Sequence, residues 1–375
     1  MSLTLEVRSI SESEHLAYIA SRPSVSFLQT PAWGRVKLGW QARSLGWFAG
    51  DELVGAGLVL LRKVPRIDRY LAYLPEGPDL DWSRSELVVP ALEALKNYCR
   101  TLGAFQVTIG PHAWVRRWSA ATLKDTIAAE SATRIGDIAA DDVSQSGREL
   151  SDILARTGWQ RGGSGEGFGD FQPRYVFALD LCNRTTDELL SGFNQLWRRN
   201  IKKAAASGVT VRVGTEADLS IFHECYVETA KRDGFTPRPL SYFQNMWQHM
   251  TAEAPERLML FIAEHPDHDG AIAATTMTRV GDHAWYSYGA STTAARELRP
   301  SNAIQWAMIQ HAQATGAAVY DMRGISDNLD PNDHLFGLVQ FKLGTGGYAQ
   351  EYVGEWDAVL RPLWARAYRL YMARR

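Results

Sequence analysis

YDMRGISDNLDPNDHLFGLVQFKLGTGG, residues 320–347, is the stretch on which the reading of this chain turns. An apolar strand, Ala317-Ala318-Val319-Tyr320, leads into it and turns through Asp321, Arg323 and Gly324. A loop rich in Asp, Asn and Pro follows from Asp327 to Asp333, and the apolar run Leu335-Phe336-Gly337-Leu338 delivers Phe341-Lys342. Gly344, Gly346 and Gly347 come directly behind that pair. Lysine is ordinarily solvated, so one reading of Lys342 is a surface residue at a helix end. The other is a positioned cation facing something anionic, with backbone N–H groups of the glycine turn beside it.

The chain has 375 residues, 45% hydrophobic and 22% charged, which suits a soluble globular protein of one large or two ordinary domains. A formal net charge of −2 excludes a polycation, so contact with nucleic acid must come from local patches, and no DNA partner is indicated. Cys99, Cys182 and Cys225 lie far apart, with neither a CxxC pair nor zinc spacing. They read as reduced thiols of a cytoplasmic protein. The opening MSLTLEVRSISESE lacks the order of a signal peptide, and no apolar run approaches the roughly 18 residues that span a bilayer.

In the first half, Thr30-Pro31 is an N-cap and N1 pair. On the helix predicted behind it, Trp33, Val36 and Trp40 share an apolar face with Lys37 beside the seam. A hairpin over 42–62 turns at Gly50-Asp51, a helix over 85–102 stops at Gly103, and 105–109 is a buried strand closing at Gly110-Pro111. Residues 137–147 read as polar and loose, a helix covers 151–157, and 162–169 (GGSGEGFG) is a mobile loop. The domain junction is expected there, before a strand at 174–181.

The second half repeats the order of the first: helix, strands, hairpin, long helix, strand. Thr185 or Thr186 caps a helix whose C-terminal part carries Arg198, Arg199, Lys202 and Lys203. That cluster is either a solvated face or a contact for a phosphate-rich partner. Arg238 and Tyr242 are four apart, one helical turn. His265 and His268 fall in a hairpin turn, where metal binding is not expected. Residues 284–290 (AWYSYGA) alternate so that Tyr286 and Tyr288 share one side, and Ser301-Asn302 caps a helix reaching Thr315.

The order of elements in each half resembles the GNAT acyltransferase fold. A GNAT that binds coenzyme A has a glycine-rich turn before the long helix. Residues 296–303 (RELRPSNA) have no glycine there and Pro300 lacks the donor, so no coenzyme A and no other cofactor is expected. The segments FLQTPAWGRVKLGW (27–40), LWRRNIKKAAASGV (196–209), ETAKRDGFTPRPLSYF (228–243), WYSYGAS (285–291), YDMRGI with GLVQFKLGTGG (320–347) and the closing EYVGEWDAVLRPLWARAYRLY are similar, in this order, to the FemXAB family of tRNA-dependent peptidoglycan peptidyltransferases.

That resemblance implies an α/β protein with mixed sheets and two GNAT-like domains, without the long coiled-coil arm of some members. Domain 1 would comprise residues 1–173 plus about 350–375, with the acceptor cleft; domain 2 would comprise 174–349, on the aminoacyl-tRNA side. The acceptor is a UDP-linked or lipid-linked muramyl pentapeptide, the second of which leaves room for a peripheral membrane contact. By position, Lys37, Arg238 and Tyr242 match the family's acceptor-binding residues, with Thr236, Tyr286 and Tyr288 as further candidates. Phe341 and Lys342 match its aromatic-lysine pair at the aminoacyl end of the tRNA, and Arg198, Arg199, Lys202 and Lys203 are candidates for the tRNA backbone. No metal is expected. The family usually has Asp where Gly110 stands, so no dedicated protein base is expected; the tRNA ribose hydroxyl or an acceptor phosphate would take the proton.

The expected reaction is aminolysis of an aminoacyl ester, with Lys342 stabilising the oxyanion, to build the peptidoglycan interpeptide bridge. Two alternatives stand beside it: a GNAT-type transferase with another acceptor, and a non-catalytic protein that binds a cell-wall precursor.

Overall fold

The computed structural model describes residues 4–162 and 172–372. The chain divides into two compact units. The first comprises Met1–Arg117, Ala140–Tyr175 and Gln350–Arg375; the second comprises Trp118–Ala139 and Val176–Ala349. All of the predicted glycine-rich loop except Gly162 lies outside the described residues. Residues 118–139 carry no boundary signal in sequence, yet they group with the second unit. Their backbone is tied there, Ala120 N donating to Gly347 O at 2.8 Å and Ile135 N to Asp327 O at 2.9 Å.

In the first unit the strands run in the order Glu6–Ser9, Gln41–Ala49, Glu52–Lys63, Tyr70–Leu74, Ala104–Ile109, Trp356–Val359, Gln160–Arg161. Neighbours are antiparallel except for Tyr70–Leu74 beside Ala104–Ile109, which are parallel. A parallel pair needs a crossover, supplied by the helix Ser85–Thr101. That helix buries Leu87, Val88, Leu92 and Leu95 against Leu45, Trp47, Leu74 and Val107 of the sheet. The segment 137–147 is less loose than its composition suggests. A helix starts at Gln145, because the Ser144 side chain accepts from Gly147 N, and runs to Arg156.

The second unit repeats the scheme. Its strands follow the order Thr210–Val213, Leu258–Glu264, Ala273–Val280, His283–Ser291, Val319–Gly324, Tyr175–Asp180. The parallel pair is His283–Ser291 with Val319–Gly324, joined by the helix Pro300–Ala314. These two strands pair only from His283↔Val319 to Trp285↔Asp321, so the rest of His283–Ser291 runs on without that partner. Gly347 packs against the strand Tyr175–Asp180 with no room for a side chain, since a Cβ there would stand 2.1 Å from Ala178 O. Among the described residues no helix is longer than the 17 residues of Ser85–Thr101, and none is long and apolar enough to cross a membrane.

Gly347→Ala should therefore cost about 1–3 kcal/mol of stability through overpacking. Thermal unfolding followed by circular dichroism should show a clear fall in Tm; an unchanged Tm would mean the strand moves aside freely.

Candidate functional site

Lys342 sits in the last turn of the helix Phe336–Leu343, where a cation suits the helix dipole. Its side chain turns inward and is only 3% exposed. The ammonium donates to three carbonyls: Met322 O at 2.7 Å, Arg323 O at 3.2 Å and Gly324 O at 2.5 Å. These oxygens come from the end of the strand Val319–Gly324, where Arg323 adopts φ +61° and its N–H donates to Asp321 Oδ1 at 2.5 Å. The partners of Lys342 within the second unit are thus three backbone carbonyls, which the sequence did not point to. Burial pulls Lys342 down to about 7, with Asp321 opposing and Arg323 reinforcing that shift. Burial pushes Asp321 upward, but His283 at 3.6 Å and Arg323 together hold it below its ordinary value.

Phe341, the preceding residue, is held by Trp197, which sequence reading did not single out. Trp197 is 2% exposed, donates from Nε1 to Phe341 O at 2.8 Å and packs on the Phe341 ring at 4.6 Å. Asn194 places it, accepting from Trp197 N at 2.9 Å through Oδ1 and donating its own N–H to Gly344 O at 2.8 Å. A Cβ on Gly344 would stand 2.2 Å from Trp197 Cδ1, so glycine is what lets the indole close over the turn. On the same helix, Gln195–Ala206, the basic cluster divides by role. Arg198 donates to Ser191 O and Phe193 O at 2.8 and 2.9 Å, fixing the turn before the helix. Arg199, Lys202 and Lys203 are exposed at i, i+3, i+4.

Phe341 also lines an open cleft of about 670 Å³ in the second unit, together with Tyr286, Gly289, Asn302 and Gln305. Arg232, Asp233, Arg296 and Arg299 line it too, with Arg232 paired to Asp233 at 2.8 Å and donating to Ser291 O at 2.8 Å. The helix Pro300–Ala314 starts at this cleft without the expected Ser301-Asn302 cap. Arg299 is its N-cap, at φ +61°, and no side chain caps it. Strand alternation also fails here. Met277 pairs with Tyr286 and Thr276 with Tyr288, a bulge that leaves Ser287 extra. Tyr286 and Tyr288 therefore project from opposite faces, and only Tyr286 meets the cleft.

Tyr288 joins Arg238 and Tyr242. Its hydroxyl lies 3.1 Å from that of Tyr242, and the Arg238 guanidinium covers the Tyr242 ring at 4.5 Å. Burial, then Tyr288, pushes the Tyr242 hydroxyl upward, so it stays a neutral donor. The sequence placed Arg238 and Tyr242 on one helical turn; Arg238 instead precedes the helix Leu240–Glu253 and folds back over it. Thr236 is exposed on the same approach segment.

Lys37 belongs to the first unit. Its helix is shorter than expected, Pro31–Val36, because the chain turns at Gly39 with φ +82°. Lys37 Nζ lies 5.7 Å from the Trp33 ring, while Trp40, beyond the helix, packs on Tyr73 beneath Arg62. The first unit also holds a small pocket lined by Glu76, Gly110, His112, Tyr352 and Glu355. A Cβ on Gly110 would come within 3.5 Å of Glu355 Cγ and 3.3 Å of Glu76 N. Glu355, 4% exposed, accepts from the Tyr73 hydroxyl at 2.5 Å, and Glu76 accepts from Ser26 Oγ at 2.6 Å. Two carboxylates absent from the sequence reading thus stand around Gly110. Both lie far from it in sequence, and no local spacing reveals them. Among the described residues no cluster of His, Cys, Asp and Glu could hold a metal ion. His265 is engaged by Ser207 O at 2.6 Å and by Asp267 N at 3.1 Å.

The profile of the FemAB family matches residues 10–266 and 249–372. A lipid II:glycine glycyltransferase of Staphylococcus aureus (strain MRSA252) is 25% identical, across 96% of this chain and 94% of that protein. Among solved structures, FemX superposes with a TM-score of 0.79 at 23% identity, covering 96% of this chain and 99% of FemX. A tandem GNAT protein from the clavulanic acid biosynthesis pathway gives 0.52 at 12% identity, over 95% and 98%. The fold is thus an α/β tandem-GNAT one, and the chain is a member of the FemAB family.

Proposed function

We propose that this chain is a non-ribosomal peptidyltransferase that moves an amino acid from aminoacyl-tRNA to the side-chain amine of a muramyl pentapeptide precursor, building the peptidoglycan interpeptide bridge. The observation that carries the reading is the buried Lys342 ammonium, in the residue that follows Phe341 of the cleft wall. Arg296 and Arg299 suit the phosphates of a tRNA 3′ end, and Phe341 offers a face for its terminal base or ester. Family membership and the glycyltransferase relative support the cell-wall acceptor, and that relative's name favours the lipid-linked form. Arg238, Tyr242 and Tyr288 in the second unit, with Thr236, and Lys37 in the first are the groups offered to that acceptor.

In the reaction the amine attacks the ester carbonyl, the C–N bond forms and a tetrahedral oxyanion appears. Its collapse breaks the ester C–O bond, and the amine's proton ends on the released ribose oxygen. Lys342 stabilises the oxyanion by its charge, from a side chain already fixed in place. All three ammonium hydrogens already have acceptors, and the 3.2 Å bond to Arg323 O is the longest and the one to be exchanged for the oxyanion.

Lys342→Met, close to isosteric in its pocket, should fold and lose about 10²–10³ in kcat. The sign of the pH effect follows from its lowered value: the ammonium is present below about 7 and lost above it. With preformed aminoacyl-tRNA and a soluble pentapeptide, kcat should show a falling limb near pH 7 that Lys342→Met abolishes. Near wild-type turnover in that variant would remove the role. Separately, replacing Arg199, Lys202 and Lys203 with Gln should flatten the salt dependence of tRNA binding by roughly 2–3 in log–log slope. An unchanged slope would make them a solvated face.

A further inference from the structure

The three most exposed large apolar side chains among the described residues are Leu363 at 85%, Leu38 at 74% and Leu370 at 56%. They are scattered in sequence, yet strand register gathers them at one end of the first unit's sheet. Leu38 precedes the strand Gln41–Ala49, whose Gln41 pairs with Leu61 near the end of Glu52–Lys63. Lys63 pairs with Tyr70, and Tyr70 with Ala104. Leu360 N and Arg361 N both donate to Phe105 O, which delivers the helix Pro362–Met372 to the same end.

That helix has two apolar stripes where a surface helix needs one. The inner stripe is seated: Ala365 is buried, Tyr368 packs on Phe105 at 5.1 Å, and the Arg69 guanidinium lies 5.7 Å from the Trp364 ring. The outer stripe, Leu363, Ala367 and Leu370 at i, i+4, i+7, is exposed and flanked by the exposed Arg366 and Arg369. Positive charge predominates at this end, although Asp357 on the adjoining strand interacts with Arg369. Stretches 37–40, 61–70 and 359–372 hold eight Lys or Arg and one acidic residue, Asp68, in a chain whose net charge is −2. Asp68 is already occupied by Lys63 at 3.2 Å and by the Tyr70 hydroxyl.

We propose that this end of the first unit is a docking surface for an anionic phospholipid bilayer, with Leu363, Leu370 and Leu38 entering the headgroup boundary and the arginines meeting lipid phosphates. Exposed leucines ringed by cations fit a bilayer better than an RNA backbone, which would use the arginines and leave the leucines in water. The proposal deepens the function offered above and rests on its lipid-linked acceptor. Such an acceptor carries its diphosphate at headgroup depth, and Lys37, a candidate for that diphosphate, lies next to Leu38 at this same end.

The test is co-sedimentation of the full-length protein with phosphatidylcholine vesicles, with and without phosphatidylglycerol. Binding should require the anionic lipid and weaken with salt. Leu363→Ser with Leu370→Ser should lower the partition coefficient about tenfold or more, with an unchanged Tm and unchanged transfer to a nucleotide-linked acceptor in solution. Arg366→Gln with Arg369→Gln should weaken binding and flatten its salt dependence. Absence of vesicle binding by the wild type, equal binding by the leucine variant, or loss of tRNA binding in the arginine variant with vesicle binding intact would overturn the proposal. So would self-association through these leucines in place of lipid binding. A protein that binds vesicles through them yet transfers to neither acceptor keeps the docking surface and loses the peptidyltransferase reading.

Discussion

A buried ammonium held by three carbonyls is the constraint on which the second unit is built. Taking a lysine out of water is costly unless every N–H finds an acceptor. Here the acceptors are three successive carbonyls, Met322, Arg323 and Gly324, which point at one atom only because Arg323 leaves the strand through a left-handed backbone. Asp321 stabilises that departure by accepting the Arg323 N–H, and its charge partly offsets the burial of Lys342. From the other side Trp197 grips Phe341 O, and Gly344 clears the space for its ring. The lysine is therefore fixed from both ends, by a strand terminus and by a helix packed on the turn. Such preorganisation lets a charge act on a transition state with little reorientation.

The cleft has a similar origin in the sheet. His283–Ser291 and Val319–Gly324 pair over three residues and then part company. Once the ladder is abandoned, the freed part of His283–Ser291 can bulge at Ser287, turning Tyr286 toward the cleft and Tyr288 toward Tyr242. One irregularity thus supplies two different sites with a tyrosine each. The close fit of Tyr286 over Gly289, where a Cβ would meet the hydroxyl at 1.7 Å, shows that this arrangement depends on a residue without a side chain.

What the sequence made legible was whatever is local. The Thr185 cap and the Gly103 stop at φ +78° both sit where neighbouring residues dictate them. The aromatic-lysine pair was legible as an anomaly, a cation in apolar company. Its carbonyl partners were not, because they lie about twenty residues upstream and depend on a non-glycine positive φ that Arg323 does not advertise. Propensity likewise favoured Ser301-Asn302 as a cap, but Pro300 takes the first helical position and moves the cap to Arg299. The bulge at Ser287 defeated strand alternation, since an extra residue is invisible until the partner strand is known. Glu355 and Tyr73, which meet beside Gly110 from 282 positions apart, belong to the same class of long-range facts.

The C-terminal helix shows how a local pattern gains meaning from where it lands. Read alone, residues 362–372 could be an ordinary amphipathic helix with its apolar residues buried. Once Trp364, Ala365 and Tyr368 are seated on the sheet, Leu363 and Leu370 are left over, on the far side and in water. A folded domain rarely gathers at one place the three most exposed leucines of its described residues, and rarely sets cations beside them while its overall charge is slightly negative. On the proposal above, an acceptor held in a membrane gives such a place its use, because docking confines the search for substrate to a surface. The helix Pro362–Met372 packs on the first unit's sheet with one stripe and, on the proposal above, meets lipid with the other.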